Sequence, residues 1–283
     1  MGFDPFMALY SVLLGLALGS FMNVCIYRIP LGRSIISPPS NCPNCGERIK
    51  FYDNIPLLSY LILWGRCRYC RHPISWRYPL VETLTGLFSL ALFSRYGLSY
   101  QYFLLFLFLA TLVTISFIDL DHQIIPDILS RSGIVIGWVA STISFIAIHK
   151  MIIPDFFSGP GVLKQNTGYF VMGDISWFYS LIGIIAGYGS LFLIEVVFKY
   201  LTGKEGMGRG DAKLLSMIGA WLGWRPLLPV VMIASLTGAV IGLLAGKGFG
   251  VRIPFGPFLA IGAIIYLFFG PQLIIWYYGL LAF

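Results

Sequence analysis

Asp119 and Asp211 stand where apolar stretches of this sequence meet polar ones. Asp119 closes the run Phe103 to Ile118, and Asp211 follows the loop Gly206-Met207-Gly208-Arg209-Gly210. A carboxylate at membrane depth is costly, so an ionisable residue there marks a functional site by default. Two carboxylates sharing one proton can hydrolyse a peptide bond: the ionised member takes a proton from the attacking water while the protonated member donates to the scissile carbonyl. Gly206, Gly208 and Gly210 permit the close backbone approach that an extended peptide requires. Residues two apart on a helix point about 200° from each other, so Asp119 and Asp121 cannot face one site. Asp119, nearer the apolar run, is the expected buried member, and Asp121 a solvated boundary charge. Pro126-Asp127 reads as the opening turn of the next helix. Asp211 also fits a helix-capping role.

Cys42-x-x-Cys45 and Cys67-x-x-Cys70, separated by twenty-one residues, have the ligand spacing of a zinc ribbon. Pro43 and Gly46 suit the first knuckle, and Arg66, Arg68 and Arg71 are placed to favour nearby thiolates. Four protein ligands leave no open position, so Zn²⁺ here is expected to be structural. Cys25 lies in an apolar run and reads as a small buried side chain. Lys50, Phe51 and Tyr52 interleave basic and aromatic residues, but a module tethered to a membrane argues against nucleic acid as a partner. Glu82 is placed to cap a helix, pair with a basic residue or face the cysteine module. Glu195 precedes Lys199 by four residues, a favourable helical pair.

The elements positioning these residues are membrane helices. The chain has 283 residues, of which 58% are hydrophobic and 11% charged, against about 25% charged in soluble domains. Mean hydropathy is +0.83. The expected fold is an all-α polytopic membrane protein with about eight transmembrane helices, at about 6–27, 79–97, 101–120, 127–149, 176–199, 211–224, 227–246 and 255–280. The sixth is short, and a single bent element around Trp224-Arg225-Pro226 is an alternative for the sixth and seventh. Fifteen of the nineteen Lys and Arg residues fall on one set of loops, which places that set, with the cysteine module, in the cytoplasm and in contact with membrane lipid. In that reducing compartment a metal site is favoured over disulfides. The division is 1–28 as first helix, 29–78 as cytosolic cysteine module and 79–283 as membrane domain. The third to sixth spans are expected to surround the aspartates. Residues 150–174 read as an external loop, and no internal repeat is evident.

Several motifs together carry a resemblance over nearly the whole length. They are Gly19-Ser20-Phe21-Met22-Asn23-Val24, both cysteine pairs, Asn54-Ile55-Pro56-Leu57-Leu58-Ser59-Tyr60, Arg77-Tyr78-Pro79-Leu80-Val81-Glu82, Ile118-Asp119 with Pro126-Asp127, Gly203-Lys204-Glu205-Gly206-Met207-Gly208-Arg209-Gly210-Asp211, and Ile253-Pro254-Phe255-Gly256-Pro257. The chain resembles the type IV prepilin peptidases, bacterial GxGD aspartic proteases of the inner membrane. The resemblance implies that Asp119 and Asp211 are the catalytic pair. It implies cleavage of the basic leader of prepilins and pseudopilins, usually between Gly and Phe, in type IV pilus and type II secretion systems. It further implies N-methylation of the new terminus with S-adenosylmethionine, through a region around Gly65, Arg66 and Glu82. Arg66 stands where the family commonly has Lys after Gly. The rival readings are a peptidase without methyl transfer and a transporter with a regulatory zinc module. Asp121, Asp127 and Glu205 are candidates, by position, to receive the basic leader.

Overall fold

The computed structural model describes residues 4–150, 172, 175–203, 208–244 and 254–281, with side chains to 146 in the helix that ends at 150 and to 273 in the last helix. The expected external loop at 150–174 falls almost wholly outside these residues. The described helices are α1 (Pro5–Arg28), α2 (Leu58–Ile62), α3 (Arg77–Tyr96), α4 (Tyr100–His122), α5 (Asp127–Lys150), α6 (Trp177–Thr202), α7 (Arg209–Leu222), α8 (Leu227–Leu244) and α9 (Gly256–Leu281). Among the described residues there is no strand, only the isolated antiparallel bridges Asn41 to Arg48 and Arg66 to Pro73. The eight expected spans coincide with α1 and α3 to α9. Six of these, α1, α4, α5, α6, α8 and α9, are long and apolar enough to cross a bilayer, so the chain is a multi-pass membrane protein. The sequence of α3 interleaves Arg77, Glu82, Thr83, Thr85, Ser89 and Ser94 with apolar residues. The helix α7 has 14 residues, about 21 Å at 1.5 Å per residue, short of the roughly 30 Å hydrocarbon core. Gly223, at φ +81°, ends it, and α8 begins afresh at Leu227. The sixth and seventh spans are therefore two helices.

The chain divides into two compact units, residues 1–114 and 115–283. In the first, α1 packs on α3. The contact is close because its residues are small: a Cβ on Gly15 would lie 2.7 Å from Ser89 Cβ. Ser89 Oγ donates to the Ser11 carbonyl at 2.5 Å and is 2.6 Å from the Tyr102 hydroxyl. The Asn23 amide donates to the Tyr78 carbonyl at 3.1 Å, tying the end of α1 to the start of α3.

In the second unit α7 is central. It packs on α5, α6 and α9, and every residue from Asp211 to Leu222 except Lys213 is buried. Gly183 and Gly219 meet backbone to backbone at the α6–α7 crossing. Buried hydroxyls are satisfied by main-chain carbonyls across the helices, Ser180 and Ser141 both donating to Ala220 O at 2.7 and 3.1 Å. Trp221 Nε1 donates to Gly133 O at 2.9 Å, its indole seated where Gly137 has no side chain. These bonds meet the rule that buried polar groups find partners, and they fix α7 in rotation as well as position.

Candidate active site and metal centre

Asp119 lies one turn before the end of α4, and its backbone carbonyl accepts from Gln123 N–H at 2.8 Å. Gln123 has φ +55°, a left-handed residue that ends the helix as glycine often does. The chain then runs through Ile124, Ile125 and Pro126 into α5. Asp211 lies in the first turn of α7, whose N-cap, Gly208, offers no side-chain cap. The Asp211 carboxylate reaches back to the backbone N–H of Gly208, so the capping role that its sequence context allowed is kept alongside its place at the cavity. The side chains of Asp119 and Asp211 line one cavity of about 250 Å³, together with Gln123, Ile124, Ile125, Gly208, Gly210 and Lys213. Asp119 is 5% exposed and Asp211 9%, whereas Asp121 is exposed. The helical period separates the two neighbouring acids as expected, and the charge of Asp119 is felt at Asp211.

The last helix was not expected at this site, yet it contributes directly. Gly256, the first residue of α9, donates its N–H to Asp119 Oδ2 at 3.1 Å. A Cβ there would lie 2.7 Å from that same oxygen. Of the expected third to sixth spans, the third and sixth, α4 and α7, carry the two carboxylates, and the turn between α4 and α5 and the start of α9 complete the site. The Ile253 to Pro257 motif was legible only as part of a resemblance. Its hydrogen bond joins residues 137 apart, which no local pattern reports.

The glycine loop is divided in its roles. Gly206, with Glu205, lies outside the described residues. Gly208 opens onto the cavity, its nearest neighbour to a built Cβ being Asp211 Oδ2 at 3.8 Å, while Gly210 packs on Ile125 with 3.0 Å from a built Cβ to Ile125 Cβ. The bareness of Gly210 thus serves contact within the chain. Asp127 does open α5, and its carboxylate pairs with Arg131 at 2.7 Å and with Lys213. Two cations already occupy this candidate for a basic leader. Glu195 reaches Arg209, at 3.9 Å.

In the first unit the four Sγ atoms of Cys42, Cys45, Cys67 and Cys70 lie within 4.8 Å of one another. Tetrahedral thiolates at about 2.3 Å from Zn²⁺ stand about 3.8 Å apart, and Cys42 Sγ to Cys70 Sγ is 3.8 Å. The donor set fits a metal of that geometry. Each pair sits in a ten-residue hairpin, and the two hairpins share one hydrogen-bond pattern. Cys42 N–H donates to Glu47 O, Gly46 N–H to Cys42 O and Ile49 N–H to Ser40 O; Cys67 N–H donates to His72 O, Arg71 N–H to Cys67 O and Ile74 N–H to Gly65 O. Residues 40–49 and 65–74 are therefore an internal repeat, missed because the two sequences share little beyond their cysteines and final Ile. Gly46 and Arg71 occupy equivalent left-handed positions, at φ +74° and +59°. Arg68 does not serve the thiolates. It grips Asp53 from Nε at 2.8 Å and from a terminal nitrogen at 2.5 Å, holding that carboxyl below its ordinary range. Asn44 instead donates to Cys70 Sγ, at 3.6 Å.

Gly65, at φ +63°, follows α2, with the Tyr60 ring 3.0 Å from a built Cβ. Arg66 pairs with Pro73 in the second hairpin. Glu82, 7% exposed, accepts the Leu57 N–H at 2.9 Å. Glu82 thus meets the beginning of α2 while Gly65 and Arg66 follow its end.

A sequence profile of the type IV leader peptidase family matches residues 106–243, and one described as the bacterial peptidase A24 N-terminal domain matches residues 13–96. Relatives include a prepilin leader peptidase/N-methyltransferase of Legionella pneumophila, 36% identical over 97% of this chain and 95% of that protein. Proteins of the same description from Pseudomonas aeruginosa and Aeromonas hydrophila are 36% and 38% identical, each over 94% of this chain and 91% of the relative. No solved structure matches the chain.

Proposed function

Because this chain belongs to the type IV leader peptidase family, we propose that it removes the leader of prepilins and pseudopilins with Asp119 and Asp211 as its catalytic pair, at the cytoplasmic face of the bacterial inner membrane. The observation that carries this reading is the single cavity lined by both buried carboxylates. Two carboxylates facing one cavity can hold one proton between them. The ionised one takes a proton from water as the oxygen adds to the scissile carbonyl, and the protonated one donates to the carbonyl oxygen. The tetrahedral intermediate then collapses as the C–N bond breaks and the amine leaves with a proton from the pair. The Gly256 N–H holds one Asp119 oxygen in place throughout. Gly208, open to the cavity, places no side chain in the way of an extended leader.

The names of the relatives support a second activity, N-methylation of the freed terminus with S-adenosylmethionine as methyl donor. Gly65 and Arg66 at one end of α2 and Glu82 at the other are the residues toward which the family likeness points, and the transfer step is assigned to none of them. Zn²⁺ at the four cysteines closes the two hairpins of segment 29–78, which we take as an insertion between the first helix and the peptidase region from residue 79. The test is incubation of the purified protein in liposomes with a prepilin and labelled S-adenosylmethionine. Cleavage and label on the mature terminus are expected, and an intact prepilin would refute the reading.

Two further outcomes follow from the geometry. Gly256→Ala places a methyl against Asp119 Oδ2, so the carboxylate must move, and a misplacement near 1 Å costs about 10²-fold in rate. Single-turnover cleavage should fall by that factor while the variant still folds. Replacing Cys70 by Ser, or stripping the metal with a chelator, should open the two hairpins, since structural zinc sites contribute folding energy outright. Limited proteolysis is expected to cut between residues 40 and 74 in the variant and in the stripped protein, and not in the metal-loaded parent.

A further inference from the structure

The short helix α2 wears its apolar side outward. Leu58, Leu61 and Ile62, at i, i+3 and i+4, are 56%, 67% and 69% exposed, and Trp64 just beyond is 88% exposed. On the other side Ser59 is buried and Tyr60 half-buried, the Tyr60 hydroxyl near Ile74 O at 3.5 Å. A single exposed leucine is ordinary, but a contiguous face of this kind marks an interaction surface.

Its depth identifies the partner. Leu57 is held in a strained turn at φ +59° and ψ −49°, closed by Leu58 N–H to Pro56 O. Its own N–H is bonded to buried Glu82. Glu82 is five residues into α3, which begins at Arg77, or about 7.5 Å along that helix. The start of α2 is thus fixed alongside the first turns of α3, which packs on the candidate span α1 and is tied to its last turns through Asn23 and Tyr78. Interfacial helices bury their apolar face to roughly this depth, about 5–10 Å into the boundary between headgroups and acyl chains. Tryptophans favour the same zone, and Trp64 and Trp76 are both exposed. Segment 29–78 carries seven Lys and Arg against two Asp and Glu, complementary to anionic headgroups.

We propose that the outward face of α2, with Trp64, lies in the interfacial layer of an anionic bilayer, so that the cysteine module is seated on the membrane and not free in solvent. This rests on the multi-pass character of the chain and is independent of its chemistry. Glu82 and the strained Leu57 turn act as the anchor that sets the depth.

A photoreactive benzoylphenylalanine, placed in turn at Leu61, Trp64 and Tyr60 of the full chain, tests this in vesicles of phosphatidylethanolamine and phosphatidylglycerol. Retained metal content shows that each variant is folded. Irradiation is expected to give adducts of phospholipid mass at Leu61 and Trp64, with the lipid adduct lost at Tyr60, on the opposite side of the helix. Absence of lipid adducts at Leu61 and Trp64 would overturn the proposal. So would adducts only to added prepilin or to a second copy of the chain. None of these readouts depends on cleavage, so failure here leaves the peptidase reading untouched.

Discussion

Asp119→Asn and Asp211→Asn are each expected to lower prepilin cleavage by about 10⁴-fold or more, and the double variant to be no worse than either alone, because groups acting as one unit do not contribute additively. Asparagine keeps the shape of each side chain but can neither accept the proton from water nor pass it on. Since the two residues line one cavity, losing either leaves a lone carboxylate that cannot serve as both base and acid. Single-turnover cleavage in liposomes reads the effect free of product release. Substantial cleavage by either variant would break the mechanism. Asp121→Asn and Asp127→Asn are the comparison: Asp121 is exposed and Asp127 is bound to Arg131 and Lys213. Both should cut nearly as well as the parent protein.

The second large effect concerns folding. Gly219→Ala is expected to destabilise the protein by more than about 4 kcal/mol, the range reserved for severe core disruption, or to prevent its accumulation. A Cβ on Gly219 would lie 3.0 Å from Gly183 Cα, and one on Gly183 would lie 2.8 Å from Gly219 C. Backbone faces backbone, so no rotamer relieves the clash, and α6 and α7 must separate. Denaturation in detergent compared with Gly189→Ala gives the control. Gly189 lies on the same α6 with nothing within 4 Å of a built Cβ. Alanine there should be neutral or gain up to about 1 kcal/mol from helix propensity. Equal behaviour of the two variants would remove the close crossing as an account of the α6–α7 pair.

The parts legible in the sequence were those whose signal is local. Apolar runs located the long helices, the helical period separated Asp119 from Asp121, and the spacing of the cysteines placed four thiols together. What stayed hidden was set by tertiary contact. Gly183 and Gly219 lie in apolar stretches where a glycine reads as neutral. Gly256 reaches Asp119 from 137 residues away. Arg68 looked like a partner for thiolates because Cys67 and Cys70 flank it, yet it folds back onto Asp53. Arg71 and Gln123 take left-handed conformations that their side chains disfavour, so neither announces its turn. The 14 residues of α7 are enough only because α5, α6 and α9 enclose it.

The enclosure of α7 also orders events in time. Amide protons escape through local openings, whose free energies range from near zero in loops to the full unfolding value in cores. From Leu214 to Leu222 every residue is buried, and opening that stretch means parting three neighbouring helices. Those amides should be the last in the second unit to exchange with deuterium, long after the turn at Gln123 and Ile124. One carboxylate of the pair is therefore mounted on the slowest-breathing element of its unit, while the turn beside the other samples open states many times over. Substrate entry can draw on that faster motion without Asp211 losing its place.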